Sequence, residues 1–307
     1  MKSSIDLAVS IPQTFPGRAP DPDFIRRYLA RAEALGFHSA WVVEQVVGSI
    51  PSLEPIELMT WAAATTSRIR LGSAVLLTAL RDPVHTAKSL TTLDHLSGGR
   101  LMVGVGLGGQ PAVYPAYGLK PDRRAARFAE GIRVMKRLWT EPRVTFEGEF
   151  FTLKNLPQEP KPVQKPHPPL WFGAHHPNAL KRAVELGDGF MGAGSLSTAK
   201  FADEVKLLRR LLAEAKRDPA AFPVAKRVYI AVDRDKARAG KRLGEWFGAF
   251  YGKAQMAEEV SVWGPPGECV EALKQVVAAG AGLLMLNPVF DELEQLELFA
   301  SEIGPKL

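Results

Sequence analysis

The amino-acid sequence predicts an α/β fold, and within that class a (β/α)8 barrel, or TIM barrel, with a proline-rich insertion before its fifth strand. Three observations lead to this prediction: an apolar βαβ unit in the chain, eight strand–helix steps along it, and a length of 307 residues. Barrels of this kind often hold about 250 residues in one domain. We therefore expect residues 1–307 to form a single domain, in which residues 140–169 carry a hairpin and the insertion.

The βαβ unit occupies residues 69–109. An apolar run at 69–77 predicts a strand, and Asp82 followed by Pro83 predicts the N-cap and first position of a helix. Apolar residues at near-helical spacing extend that helix to a glycine pair, and residues 101–105 predict the next strand. Because both strands are apolar on both faces, we expect a parallel sheet covered by helices.

The same alternation extends to both ends of the chain. Further barrel strands are predicted at 5–11, 39–43, 170–173, 189–192, 228–232 and 283–286. Further helices are predicted at 23–35, 55–66, 122–139, from 177, from 197 to about 216, at 235–250 and at 293–303. We predict an inserted strand at residues 260–263 and an inserted helix at residues 266–279. Residues 110–121 are predicted to form a loop.

The insertion has two parts. Residues 144–153 predict a β-hairpin around Glu147 and Gly148. Residues 156–169 contain six prolines and cannot form a helix or a central strand. This connector either covers the functional site or forms a static strap across the barrel.

The composition excludes several classes of protein. Hydrophobic residues at 46% and charged residues at 23% are ordinary for a globular protein, and no apolar run is long enough to span a membrane. Cys269 is the only cysteine, which excludes an intrachain disulfide and favours a reducing compartment, the cytoplasm. The N-terminus lacks the layout of a signal peptide. The net charge of +6 is scattered without a basic arm, so we expect no nucleic-acid partner.

Ligands of a TIM barrel bind at the C-terminal ends of its strands, where this chain has a glycine cluster. Gly104, Gly106 and Gly109 match the dinucleotide-binding pattern G-x-G-x-x-G. A Rossmann site is disfavoured, because prolines interrupt the next stretch and no acidic residue follows at the required distance. Two interpretations remain: the glycines leave room for a flat ring, or they permit close packing of backbone.

Small residues also follow the fifth and sixth predicted strands, at 173–178 and 192–195. Backbone amides at helix N-termini, flanked by small side chains, form anion sites, so these loops are candidates for binding a phosphate. Ordinary turns are the alternative. His175 and His176 have no third ligand nearby, so we expect no metal site. Ser195 has no evident base, which argues against a hydrolase.

Several segments together give a specific resemblance. LGSAVLLTALRDPVHTAKSLTTLDHLSGGRLMVGVGLGG, RFAEGIRVMKRLWT, FEGEFFTL, KPVQKPHPPLWFGAHHP and ELGDGFMGAGS are similar to segments of the bacterial luciferase-like superfamily. The resemblance extends over nearly the whole chain. It implies a TIM-barrel oxidoreductase that uses reduced FMN or the deazaflavin coenzyme F420.

The resemblance also implies which residues bind the cofactor. Ala74 and Val75 fall where the family often has a non-prolyl cis peptide that bulges towards the cofactor ring. The implied ring contacts are Ala74, Val75, Leu76, Gly106 and Gly108. The implied phosphate contacts are Ala174, His175, His176, Gly194 and Ser195.

The catalytic candidates are Glu44, Gln45 and His175. Glu44 and Gln45 match an acid–histidine pair of the family, with glutamine in place of the histidine. Because glutamine cannot transfer protons, acid–base work would pass to Glu44, to a histidine of the 175–176 pair, or to the substrate. The sugar-phosphate dehydrogenases of the superfamily have a glutamate where this chain has Gly109, which argues against that activity.

The predicted function is therefore that of a monooxygenase acting on a small organic substrate. The alternatives are a reductase or dehydrogenase that uses reduced F420 by direct hydride transfer, and a flavin-binding barrel without turnover. A homodimer and, for FMN, a separate flavin reductase are expected from the superfamily. Candidate apolar walls of the site, which could equally be core or rim, are Phe15, Tyr114, Tyr117, Trp171 and Phe172.

Overall fold

The structure, a computed structural model, describes residues 5–45, 47–108 and 111–307. Its strands are β1 (Asp6–Ser10), β2 (Ser39–Val42), β3 (Arg70–Ser73), β4 (Leu101–Val105), β5 (Val144–Glu147), β6 (Thr152–Leu156), β7 (Leu170–Gly173), β8 (Gly189–Gly192), β9 (Val224–Val232), β10 (Ser261–Gly264) and β11 (Leu283–Asn287). Its α-helices are α1 (Pro22–Ala34), α2 (Pro55–Thr65), α3 (Pro83–Leu96), α4 (Arg124–Thr140), α5 (Pro177–Leu186), α6 (Thr198–Glu214), α7 (Lys236–Tyr251), α8 (Met256–Val260), α9 (Pro266–Ala278) and α10 (Glu292–Leu298).

Eight parallel strands close into a barrel, which confirms the predicted fold. Around the barrel they run β1, β2, β3, β4, β7, β8, β9 and β11, and β11 pairs with β1 to complete the ring. The strand β10 pairs in parallel with β9 outside this ring, so the predicted inserted strand extends the sheet. β5 and β6 form the predicted antiparallel hairpin.

Large side chains fill the barrel interior. Trp41 and Trp171 meet edge to face, with ring centroids 5.9 Å apart, and both pack with Met102, Met191 and Met285. Such packing leaves no pore, so a ligand must bind above this layer, at the mouth.

Local sequence signals start the helices where they were predicted. Asp21 accepts a hydrogen bond from Phe24 N at 2.9 Å, and Asp82 accepts one from His85 N at 2.8 Å. Each aspartate precedes a proline at the first helical position. The cap and the proline together fix the end of a strand–helix loop at the barrel mouth.

Some boundaries differ from the prediction. β3 ends at Ser73 rather than at residue 77, and Leu76 then makes two backbone bonds to β4, with Gly104 O and Gly106 N. The seventh barrel strand starts at Val224, and a 3-10 helix, Pro111–Tyr117, forms within the predicted loop. The closing helix changes to a π-helical turn after Leu298.

The proline-rich connector is a strap and not a lid. Gln158 Nε2 donates to Val84 O at 3.0 Å, and His95 Nε2 donates to Lys161 O at 2.8 Å, which ties the connector to α3. Gln164 Nε2 donates to Leu101 O at the start of β4. The connector therefore runs along the outside of the barrel towards the N-terminal ends of the strands, away from the mouth. In the described ranges, no helix combines the length and the apolar character that crossing a membrane requires.

Candidate active site at the barrel mouth

Val75 closes the barrel mouth between β4 and β7. A Cβ on Gly106 would lie 2.4 Å from a Val75 methyl, and one on Gly173 would lie 2.9 Å from the other methyl. A Cβ on Gly104 would lie 1.7 Å from Ser73 O. At Gly104 and Gly106 the glycines therefore permit close packing, with Ser73 O filling the space at Gly104 and Val75 filling it at Gly106.

The segment that follows β3 forms a shelf at the mouth, which we define as residues 74–76. The Ala74–Val75 peptide is cis, as the resemblance implied. Ala74 and Val75 keep some exposed surface and Gly108 is exposed, whereas Leu76 and Gly106 are buried. Leu76 is thus the buried part of the shelf, and Gly106 lies beneath it. Gly109 lies outside the described residues.

The carboxylate of Glu44 holds the segment that follows this shelf in place. Its side chain is 1% exposed, and its carboxylate accepts hydrogen bonds from Leu77 N at 2.5 Å and from Arg81 Nη2 at 2.8 Å. Arg81 also pairs with Glu54, whose carboxylate caps α2. Burial opposes the charge of Arg81, but the two carboxylates outweigh it and raise the pKa of Arg81 above its ordinary value. The glutamate predicted for acid–base work is therefore part of an internal ion-pair network.

A cavity of about 210 Å³ opens beside the shelf. Gln45 and Tyr117 line it, and the buried Gln45 Oε1 and Tyr117 Oη have no hydrogen-bond partner in the structure described. Burial, followed by the charge of Glu44, raises the pKa of Tyr117. The lining residues are Glu44, Gln45, Val47, Leu77, Leu80, Leu107, Gly108, Val113, Tyr114 and Tyr117.

Two of the five candidate walls, Tyr114 and Tyr117, line this cavity. Phe15, Trp171 and Phe172 are buried in the core, at 0%, 6% and 1% exposure. Of the five candidates, the two that line this cavity thus belong to the 3-10 helix after β4.

The two predicted phosphate loops end in adjacent helix N-termini. Nδ1 of His176 accepts a hydrogen bond from Asn178 N at the start of α5, and Ser197 caps α6. Ala174 and Gly194 are buried, whereas Ser195 is partly exposed. The small side chains that precede these two helix N-termini are suited to an anion.

His175 stands at the edge of these loops. Its side chain is 52% exposed, and its Nδ1 lies 3.2 Å from Oε1 of Glu204 on α6. The other oxygen, Glu204 Oε2, is buried without a hydrogen-bond partner in the described structure. The pair places an imidazole and a carboxylate next to each other at the rim of the site.

Sequence reasoning missed two cations on β9. Lys226 is 3% exposed and donates to Leu196 O at 2.9 Å and to Ala193 O, which fixes the loop that follows β8. Burial, only partly opposed by the charge of Glu204, lowers the pKa of Lys226 to about 8. This buried lysine is a positioning group for the second phosphate loop.

Arg227 points to the opposite face of the strand, into the barrel mouth. Its Nε donates to Asn287 Oδ1 at 2.7 Å and its guanidinium lies 4.7 Å from the Tyr229 ring centroid. Within the described residues, no carboxylate lies within ion-pair distance of it. Two adjacent cations in the otherwise apolar run VAKRVYIAV were the signal that could have revealed both residues.

Titratable side chains do not converge on a metal site here. In the part of the chain that the structure describes, no three His, Cys, Asp or Glu side chains lie together in a metal-binding arrangement. The polar groups of the mouth are instead arranged around loops and backbone amides.

Comparison with known sequences places this architecture in a family. The model of the family described as luciferase-like monooxygenase matches residues 5–282. An uncharacterized protein of Mycobacterium bovis is 39% identical over 171 residues, which cover 54% of this chain and 58% of that protein. The match thus spans little more than half of that relative. An F420-dependent glucose-6-phosphate dehydrogenase of Kineococcus radiotolerans is 30% identical over 248 residues, which cover 77% of this chain and 70% of the relative.

Solved structures share the fold. An F420-dependent secondary alcohol dehydrogenase in complex with an F420-acetone adduct superposes with a TM-score of 0.86 at 22% identity, covering 100% of this chain and 99% of the other. The oxygenating constituent of 3,6-diketocamphane monooxygenase from Pseudomonas putida, in complex with FMN, gives a TM-score of 0.81 at 17% identity, with 99% and 98% covered. At these identities the structures establish the barrel. The match over residues 5–282 shows that the chain belongs to the luciferase-like monooxygenase family.

Proposed function

We propose that this protein is an oxidoreductase that binds a phosphorylated tricyclic redox cofactor, F420 or FMN, across the barrel mouth. One arrangement carries the proposal: two helix N-termini with small flanking residues lie beside an arginine without a carboxylate partner. A Cβ on Gly194 would lie 3.3 Å from Arg227 Cδ, so this cation is adjacent to the second phosphate loop. The luciferase-like family supports the choice of cofactor class.

The residues of the mouth fit such a group. Its phosphate would be held by the two loops, with His175 at their edge and Lys226 fixing the second loop from behind. Its ring would lie against the exposed parts of the shelf and against Gly108. The phosphate contacts are assigned to Ala174, His175, His176, Gly194 and Ser195.

The bound cofactor supplies the hydride or oxygen chemistry, while the chain supplies binding, orientation and a dry surface. Glu44 holds Leu77 N and Arg81, and so positions the shelf. Gln45 can orient a substrate by hydrogen bonding but cannot exchange a proton with it. His175, paired with Glu204, lies on the phosphate side of the mouth and does not line the cavity beside the shelf.

Hydride transfer between F420 and a small organic substrate is the first candidate reaction. The relative that is 30% identical over 77% of this chain is described as F420-dependent. This supports placing hydride transfer with F420 ahead of monooxygenation, the reaction that the sequence alone favoured. FMN-dependent monooxygenation is the second candidate, supported by the family description. A homodimer and, for the FMN case, a flavin reductase partner remain predictions.

Cofactor titration tests the proposal. Purified protein is titrated with F420 and with FMN, and binding is followed by fluorescence quenching. Consumption of the reduced cofactor is then measured with a panel of small organic substrates, with and without oxygen. Oxygen-independent turnover with F420 supports the first candidate, and oxygen consumption with FMN supports the second. Binding of neither cofactor would overturn the proposal, and binding without turnover would leave a non-catalytic barrel.

A further inference from the structure

The cavity beside the shelf has the position of a substrate site, if the function proposed above is correct. It shares Leu77 and Gly108 with the edge of the mouth, and a Cβ on Gly108 would lie 3.2 Å from a Leu77 methyl. Its volume of about 210 Å³ equals that of roughly seven water molecules. This space accepts a small molecule next to a ring that lies on the shelf.

The charges around this cavity disfavour an anion. Glu44 lines it, and the neighbouring cation, Arg81, is shared between the carboxylates of Glu44 and Glu54. At Tyr117 the charge of Glu44 outweighs that of Arg81, whereas Arg124 and Arg127 act on Tyr114 in another wall of the cavity. A phosphate ester or carboxylate entering here would meet Glu44 while Arg81 is already paired. A neutral ligand has no such penalty.

The remaining walls are apolar apart from two neutral polar atoms. Leu77, Leu80, Leu107 and Val113 supply aliphatic surface, and the Tyr114 hydroxyl is already bonded to Leu107 O at 3.1 Å. The unpartnered atoms are Gln45 Oε1, which accepts a hydrogen bond, and Tyr117 Oη, which donates or accepts one. Buried polar atoms of proteins almost always have a partner, and among the unpartnered atoms of the described residues these two belong to side chains that line one cavity with room for a ligand.

We propose that the cavity binds a neutral, mainly apolar molecule bearing one hydroxyl or carbonyl group. A hydroxyl would donate to Gln45 Oε1 and accept from Tyr117 Oη, whereas a carbonyl oxygen would accept from Tyr117 Oη alone. The class of substrate is therefore a small alcohol or ketone, and not a sugar phosphate. By this assignment the chain differs in substrate from its glucose-6-phosphate dehydrogenase relatives, because the carboxylate of Glu44 in the cavity wall disfavours a phosphate ester.

Ligand-observed NMR tests the inference without turnover. Saturation transfer is measured from the protein to cyclohexanol, cyclohexanone and glucose 6-phosphate, with and without saturating F420 or FMN. We expect binding of the two neutral probes, and at least tenfold weaker binding of glucose 6-phosphate. Comparable or tighter binding of glucose 6-phosphate would overturn the inference. Loss of cofactor binding with intact cyclohexanol binding would instead count against the proposed function alone.

Variants locate the neutral probes. Tyr117→Phe and Gln45→Leu each remove one of the two polar atoms and are expected to weaken cyclohexanol binding about tenfold, with cofactor affinity unchanged within twofold. Tyr28→Phe is the matched control, because it removes a buried, unpartnered hydroxyl on α1 that does not line the cavity. Unchanged cyclohexanol affinity in both cavity variants, each shown to be folded by circular dichroism, would overturn the assignment.

Discussion

The two sides of the barrel mouth differ in whether their arginine is paired with carboxylates. On the β2–β4 side, residues 44–45, 74–81, 106–108 and 113–117, the guanidinium of Arg81 is shared between the carboxylates of Glu44 and Glu54, and Glu44 lines the cavity. On the β7–β9 side, residues 173–176, 193–196 and 226–227, Arg227 has no carboxylate partner among the described residues and two helices begin. The comparison teaches that one mouth can separate an anionic cofactor group from a neutral substrate.

Of the substitutions proposed for the barrel mouth, loss of Arg81 is expected to have the largest effect, a destabilisation of the β2–β4 side. Arg81→Met leaves the buried carboxylate of Glu44 without its cation, and we expect the free energy of unfolding to fall by about 4 kcal/mol. Urea denaturation followed by circular dichroism measures this. The double variant Glu44→Gln/Arg81→Met should recover much of the loss. Equal destabilisation in the single and double variants would show that the ion pair is not the cause.

Because Lys226 on the β7–β9 side is buried, we expect the free energy of unfolding to depend on pH. The pKa of Lys226 is lowered from 10.5 to about 8, so between these values the unfolded chain binds more protons than the folded chain. The free energy of unfolding should therefore rise with pH across this window, by roughly 3 kcal/mol relative to Lys226→Met. Denaturation of both proteins at pH 7.5 to 10.5 measures the difference. If the free energy of unfolding changed with pH in the same way for wild type and Lys226→Met, the lowered pKa of Lys226 would be contradicted.

A negative charge in the second phosphate loop should repel the cofactor. Ser195→Asp places a carboxylate beside the expected phosphate, and we expect FMN or F420 affinity to fall about 100-fold. Ser195→Ala, which adds no charge, serves as the control and should stay within about fivefold of wild type. Fluorescence quenching gives both dissociation constants. If aspartate and alanine variants bound equally well, the phosphate would have to lie elsewhere.

A smaller effect is expected at Arg227. Arg227→Gln removes the cation beside the phosphate loop and should weaken cofactor binding about tenfold, as expected for loss of a charge-assisted hydrogen bond. The control Arg210→Gln removes the same charge from the exposed surface of α6, where it pairs with Glu214. Similar affinities for the two variants would mean that Arg227 acts only through the net charge of the protein.

Local signals made the barrel predictable from sequence. Asp21 and Asp82 cap helices through residues three positions away, and apolar runs mark the strands, so neither depends on distant parts of the chain. The two loops proposed to bind phosphate could be picked out for the same reason, because each lies between a strand and its own helix.

The features that the sequence did not reveal depend on distant pairs. Arg81 bonds to Glu44 and Glu54, which are 37 and 27 residues away, and nothing near Glu44 indicates that its carboxylate is already occupied. Val75 fills space left by Gly106 and Gly173, a contact that exists only once β4 and β7 are neighbours. Sequence patterns identify which residues reach the mouth, whereas their partners follow from the closed barrel.

The most direct measurement compares each cofactor with its phosphate-free counterpart. Dissociation constants are determined for FMN and riboflavin, and for F420 and the deazaflavin alcohol that lacks its phosphate, with wild type and Ser195→Asp. For at least one pair, we expect the phosphorylated form to bind wild type at least tenfold more tightly, and Ser195→Asp to abolish that preference. Equal binding of both forms to wild type, or no binding of any of the four, would contradict an anion site between β7 and β9.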